Sequence, residues 1–176
     1  MHHHTHPDPE VASVVEQCAT HLAQTHAHIG GQIQLMAAGQ VPAAPPGQAP
    51  VDPRQLYGVA TRLCDEGEFQ LAFAPSMVLS LLQPANPAFA MLAATCLQRT
   101  DRPAAALALF GMAGLNGGAA YAPVATFRSG ECLSAMGRTR EAVLVFEAVI
   151  EASRQNPELA ELQRLAQEKA VALRAA

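Results

Sequence analysis

The chain has 176 residues and a formal net charge of −4, with ten arginines and a single lysine, Lys169. It shows no concentration of positive charge, so we expect neither direct nucleic-acid binding nor attraction to an anionic membrane. Half of the residues are hydrophobic but only 5% are aromatic, which favours closely packed, alanine-rich helices. The most apolar region, 71–97, contains three prolines, so we expect no membrane insertion.

The N-terminal region is predicted to contain a His-rich tail over 1–8 and a helical extension over 9–39. Pro7 and Pro9 keep the tail from being helical, and the neighbouring acidic residues mark a helix start. Apolar residues then recur at spacings of three, four and seven, the pattern of one helix face. This stripe needs a cover, either the repeats that follow or a second copy of the chain. The residues expected to make the contact in a homodimer are Val11, Val14, Val15, Cys18 and Leu22.

Two interruptions are predicted after this stripe. The pair Gly30 and Gly31 should break or weaken the helix. Residues 40–52 contain four prolines and should form an extended, semi-rigid linker. At its end, Asp52 is a plausible N-cap, and Pro53 suits the first turn of the next helix.

The segment 53–154 repeats itself at a period near 34 residues. Ala142 and Phe146 share one helix face, and the same A-x3-F pair recurs 36 residues earlier as Ala106 and Phe110. Small Gly130 on the preceding helix should let that face approach closely. These features are typical of tetratricopeptide (TPR) hairpins. The three repeats are predicted at about 53–86, 87–121 and 122–154.

Each hairpin needs a tight turn between its two helices. Gly67 and Gly137 supply this turn in the first and third repeats, and Asp101 with the two residues after it replaces glycine in the second. Pro75 should either kink the second helix of the first repeat or shift its start. The glycine-rich segment 114–118 should connect the second and third repeats.

The predicted fold class is therefore all-α, with three tandem TPR hairpins in a short solenoid, an N-terminal helix and a C-terminal capping helix over 155–176. In such an array the first helix of each hairpin lines the inner, concave face. Tyrosine, phenylalanine and methionine there would suit an extended, proline-containing peptide. The alternative is that some of these side chains fill the hairpin cores. The residues predicted to bind a peptide are Tyr57, Thr61, Cys64, Met91, Thr95, Gln98, Phe127, Glu131 and Ser134.

Two sequence segments resemble a known family. They are FRSGECL at 127–133, followed by Gly137, and LYGVA at 56–60, followed by GEF at 67–69. Both are similar to the TPR-containing class II chaperones of type III secretion translocators, and the resemblance covers about residues 54–173. It implies a bacterial cytoplasmic chaperone that keeps hydrophobic translocator subunits soluble and separate before export. It also implies a P-x-L-x-x-P type client segment in the groove and, for some members, a transcription regulator as partner.

Other function classes find less support in the sequence. It contains no G-x-S-x-G motif, phosphate-binding loop or zinc-ligand spacing, so we assign no catalytic residue, metal or cofactor. The four cysteines form no CxxC pair and are expected to be small buried residues in a reducing compartment. The alternative function is a generic TPR scaffold or adaptor subunit, or a transcriptional co-regulator of a secretion system.

Overall fold

The structure is a computed structural model that describes residues 6–37 and 52–175, and in those ranges it consists of helices and short connections. This confirms the predicted all-α class. A short 3-10 helix, Pro157–Leu159, precedes the last α-helix. The predicted linker lies outside the described residues, except for Asp52. The helices are α1 (Pro9–Ala37), α2 (Pro53–Asp65), α3 (Phe69–Leu82), α4 (Pro87–Arg99), α5 (Pro103–Ala135), α6 (Thr139–Ser153) and α7 (Ala160–Ala175).

The chain divides into two compact units. The first, residues 1–82, contains α1, α2 and α3, and the second, residues 83–176, contains α4 to α7. In the first unit α3 packs against both α1 and α2. In the second unit α4 packs on α5, α5 on α6, and α6 on α7. The hairpins therefore form between the pairs of helices that the sequence predicts. The outer domain boundaries stay predictions.

Helix α5 consists of two helices that belong to different hairpins. Gly118 has a φ of 53° and a ψ of −149°, which lies outside the helical region and is accessible to glycine. It divides α5 into a first arm, 103–117, and a second arm, 119–135. The connection predicted over 114–118 thus needs only one non-helical residue. By length and composition alone α5 could cross a membrane, but both arms contribute buried residues to the helical core.

The first part of the apolar stripe of α1 is covered by its own chain. Val11, Val14 and Cys18 are buried, and α1 packs chiefly against α3. These three residues belong to the core of the first unit, which agrees with the predicted cover by the repeats rather than by a second copy of the chain. Val15 and Leu22 are half-buried, and a dimer contact through them stays a prediction.

Two helix-breaking signals do not end their helices. Helix α1 continues through Gly30 and Gly31, so the pair does not break the helix, and a weakening of the helix there stays a prediction. Each glycine destabilises the helix by about 1 kcal/mol relative to alanine. Packing along the first half of α1 offsets this cost. Helix α3 begins at Phe69, well before Pro75, so this buried proline lies inside the helix rather than at its start.

The three hairpin turns have the same backbone geometry. Gly67, Asp101 and Gly137 all have positive φ, at 81°, 58° and 71°. In each turn the next residue donates its backbone N–H to the carbonyl five positions earlier, which is the Schellman arrangement. The predicted turn positions are confirmed, including the aspartate that replaces a glycine. These bonds join Glu68 to Leu63 at 2.8 Å, Arg102 to Leu97 at 2.9 Å and Arg138 to Leu133 at 2.9 Å.

Three helices begin with the same capping device. The side chains of Asp52, Asn86 and Asn156 each accept a hydrogen bond from the backbone N–H two residues later, at 2.7, 3.1 and 3.0 Å. A proline follows each of them at the first helical position. Asn86 lies 34 residues after Asp52. The repeat is therefore encoded at the helix starts as well as in the hairpin cores.

The core of the third hairpin confirms the predicted close approach at Gly130. Ala142 and Phe146 are completely buried. A Cβ atom added to Gly130 would lie only 2.8 Å from Cε1 of Phe146, so the residue must be glycine for the ring to sit there. Phe127 packs against the same ring, with the two ring centroids 5.4 Å apart.

Candidate peptide-binding faces

The first candidate face lies on α2, in the first unit. Tyr57, Thr61 and Cys64 follow one another at spacings of four and three, so they share one side of the helix. The opposite side is buried in the hairpin, whereas the tyrosine is 46% exposed. The Thr61 hydroxyl donates to the carbonyl oxygen of Tyr57 at 2.8 Å. The hydroxyl is thus satisfied within the helix, and Tyr57 is the main apolar contact that this face offers.

The second candidate face is formed in the second unit by α4 and the second arm of α5. Met91, Thr95 and Gln98 lie on one side of α4 and are all half-buried. Met91 packs against the small core cluster that contains Ala113, so part of its side chain is held in place. The Thr95 hydroxyl donates to the carbonyl oxygen of Met91 at 2.8 Å, as the threonine of the α2 face does in its own helix.

The second arm of α5 contributes fewer residues to this face than the sequence suggests. Glu131 and Ser134 are half-buried and reachable. Phe127 is only 6% exposed and belongs to the core cluster around Phe146. For this phenylalanine the structure agrees with the alternative that it fills the hairpin core, and we do not carry it forward as a peptide-binding residue. The other assignments stay predictions.

A polar cluster centred on Glu131 connects three helices of the second unit. Gln98 of α4 donates its Nε2–H to Oε2 of Glu131 at 3.2 Å, and Arg128 donates to the same oxygen at 2.9 Å. From α7, Nζ of Lys169 lies 3.8 Å from Oε1. The structure therefore brings together Gln98 and Glu131, two residues predicted from different repeats.

Sequence reasoning missed the two cations of this cluster. Arg128 lies three positions before Glu131, a spacing at which helix neighbours form ion pairs, so a search for charge pairs could have found it. Lys169 carries no such signal, because its position depends on how α7 packs. α7 contacts both α6 and α5, and these contacts bring the only lysine of the chain to the glutamate.

Two buried cysteines lie in environments that disfavour an activated thiol. Burial raises the pKa of Cys18 to about 11. Burial, followed by the nearby charge of Glu131, raises the pKa of Cys132 to about 11. A thiol is reactive as the thiolate, which these environments disfavour. Within 6–37 and 52–175 no group of three or more His, Cys, Asp or Glu residues is arranged to hold a metal ion.

An open apolar depression of about 400 Å³ also lies in the second unit. It is bordered by the start of the second arm of α5, the end of α6 and the turn before α7. Alanine is the commonest lining residue, and the lining contains no charged side chain. The lining residues are Ala119, Ala122, Pro123, Thr126, Ala148, Val149, Ala152, Asn156 and Leu159.

Solved structures with a similar fold come from type III secretion systems. The translocator chaperone SycD of Yersinia enterocolitica matches with a TM-score of 0.64 and 21% identity, over 69% of this chain and 83% of that one. SycD in complex with a peptide of the translocator YopD gives the same TM-score and identity, over 69% of this chain and 92% of that one. A type III secretion complex from Aeromonas hydrophila matches with a TM-score of 0.63 and 21% identity, over 70% and 81%.

No protein-family model and no curated protein matches the chain. At this level of identity the likeness to the solved structures shows the fold. The expected TPR-type helical fold of the class II chaperones is thereby confirmed.

Proposed function

We propose that the chain is a chaperone of type III secretion translocators. It would bind an extended segment of a hydrophobic translocator subunit and keep that subunit soluble and separate from its partners before export. The observation that carries the proposal is the fold shared with SycD, which has been solved with a peptide of the translocator YopD. The role needs a binding surface and no catalytic group, and we propose that the protein is not an enzyme.

The chemistry of the two candidate faces supports this function. Tyr57 presents a large, half-exposed ring, and Met91 presents a flexible, partly buried apolar side chain that packs against a core cluster. Such groups suit a proline-containing segment, which loses little conformational entropy when it is bound in an extended form. We therefore assign a P-x-L-x-x-P type segment to the face formed by α4 and the second arm of α5. The α2 face is proposed as a contact surface of the first unit.

The same proposal includes a cellular location and further partners. The site of action would be the bacterial cytoplasm, where translocators are made. A homodimer through Val15 and Leu22, and a transcription regulator as partner, belong to the proposal as well. A scaffold role is the competing function, and it differs in that a scaffold binds folded partners.

A direct test is a fluorescence-anisotropy titration with a labelled peptide that carries a P-x-L-x-x-P motif. Met91→Ala should weaken binding about tenfold, which corresponds to about 1.4 kcal/mol. Tyr57→Ala is measured separately, because the two residues lie in different units. Leu144→Ala, which removes an exposed apolar side chain from α6, is the matched control and should bind normally.

Three outcomes of this titration bear on the proposal. Saturable binding that only the face variants weaken would support it. Binding that ignores Met91→Ala and is lost in Ala122→Leu would move the client to the apolar depression beside α6. A chain that binds neither the peptide nor an unfolded translocator, yet co-purifies with a folded partner, would favour the scaffold role.

A further inference from the structure

The Glu131 cluster contains more positive than negative charge. One carboxylate faces two cations, Arg128 at 2.9 Å and Lys169 at 3.8 Å. The Gln98 amide adds a further hydrogen-bond donor to the same carboxylate. A single carboxylate cannot neutralise two cations, so the cluster keeps a local excess of about one positive charge within a chain whose net charge is −4.

Other arginines of the described residues are paired differently. Arg62 contacts two carboxylates, those of Asp8 and Glu66. Arg164 also contacts two, those of Glu161 and Glu168. These clusters hold at least as much negative as positive charge and offer little to an anion. Arginines with one carboxylate each are Arg138, Arg154 and Arg174.

The two cations of the Glu131 cluster remain accessible from solvent. The side chains of Arg128 and Lys169 are 45% and 52% exposed, whereas that of Glu131 is 20% exposed. An ammonium group has three N–H donors and a guanidinium has five. Both therefore retain donors that can point away from the glutamate toward a bound molecule.

We propose that Arg128 and Lys169 recognise an acidic side chain of the bound client segment, an inference that rests on the proposed function. The cluster adjoins the face assigned to that segment, because Glu131 is bonded directly to Gln98 of α4. A client carboxylate placed there would complete a two-to-two arrangement of charges. Glu131 would hold the two cations in position, and it would also compete with the client for them.

The test compares two sets of labelled peptides that share a P-x-L-x-x-P core. In one set a single Glu is placed in turn at each variable or flanking position, and in the other set Gln takes its place. Partly exposed ion pairs are worth up to about 1 kcal/mol, so we expect the best Glu peptide to bind about two- to fivefold tighter than its Gln counterpart. The preference should shrink in 0.5 M salt, because such pairs are screened.

Variants of the protein separate recognition from a structural role of the cluster. Lys169→Gln and Arg128→Gln should each reduce the Glu preference, because each should weaken binding of the Glu peptide more than binding of the Gln peptide. Glu131→Gln should increase the preference, because the competing carboxylate is gone. If the cluster served only to attach α7, this variant would weaken binding of both peptides alike. Arg174→Gln is the matched control, since Arg174 ties α7 to Glu147 of α6.

The outcomes distinguish this inference from the function on which it rests. Equal affinity of Glu and Gln peptides at every position would overturn the inference and leave the proposed function in place. A loss of preference in Arg174→Gln equal to that in Lys169→Gln would assign the effect to α7 docking, and would also overturn it. Failure of both peptide sets to bind would overturn the proposed function and the inference together.

Discussion

The contact between Gly130 and Phe146 allows a sharp test of the third hairpin core. In Gly130→Ala, the new methyl group would lie 2.8, 2.9 and 3.1 Å from three ring atoms of the phenylalanine. Carbon atoms pack at about 3.5–4.0 Å, so all three contacts overlap. The ring is completely buried and also packs against Phe127, which leaves it little room to move.

Two opposing effects determine the stability of this variant. Alanine improves helix propensity over glycine by about 1 kcal/mol, while overpacking of a core costs about 1–3 kcal/mol. We expect overpacking to win, with a net loss of about 1 kcal/mol. Gly111→Ala is the matched control, because Gly111 lies in a helix of the same unit with no atom within 4 Å of an added Cβ. It should gain about 0.5–1 kcal/mol.

Urea unfolding followed by circular dichroism measures both variants under the same conditions. The free energies of unfolding should differ by about 2 kcal/mol, with Gly130→Ala the less stable. A second measurement places Gly130→Ala in a Phe146→Leu background, where the ring edge is absent and the alanine should become neutral or stabilising. If Gly130→Ala is as stable as Gly111→Ala in the wild-type background, the close-approach argument is refuted.

Three further predictions concern turn geometry, acid sensitivity and thiol reactivity. Asp101→Gly should stabilise the chain by about 0.5 kcal/mol in urea unfolding, because a residue with positive φ is better suited to glycine; a loss of stability would contradict this. The hydrogen bond from Arg62 lowers the pKa of the Asp8 carboxyl, so the stabilisation is present above the unfolded pKa near 4 and is lost as pH falls through the lower folded value. Arg62→Gln should therefore lose less stability than wild type between pH 6 and pH 3, and equal losses would contradict this. With a thiol reagent at pH 8, partly exposed Cys64 should react before buried Cys132, and the reverse order would contradict the burial pattern.

In the first unit, an apolar helix face predicted from the sequence is buried within the same chain. The stripe of Val11, Val14 and Cys18 was correct as a helix face, and the sequence left two covers open. The structure places α3 over it. A contact from His6 to Glu66 at 3.0 Å joins the residues before α1 to the end of α2. Neither α3 nor Glu66 is close in sequence to the residues that it contacts, so no local pattern could have predicted this arrangement.

Local sequence determined where the helices of the hairpins begin and turn. An Asp or Asn residue followed by proline accepts a hydrogen bond from the backbone N–H two residues later, as at Asp52. A positive-φ residue closes each hairpin through a bond to a carbonyl five positions earlier, as at Gly67. The pair of Ala142 and Phe146 lies one helical turn apart. Each of these devices acts over a few residues, which is why periodicity and spacing could reveal them.

Tertiary structure alone decided which side chains are available for binding. Phe127 and Glu131 lie one turn apart on the same arm of α5, yet the first packs into the core and the second reaches the surface. That division depends on how α6 packs against this arm, where the ring of Phe146 lies against Gly130 and Phe127. Lys169 reaches Glu131 only because α7 folds back onto the hairpin. Contacts between residues far apart in sequence depend on the packing of whole helices, which no single helix pattern contains.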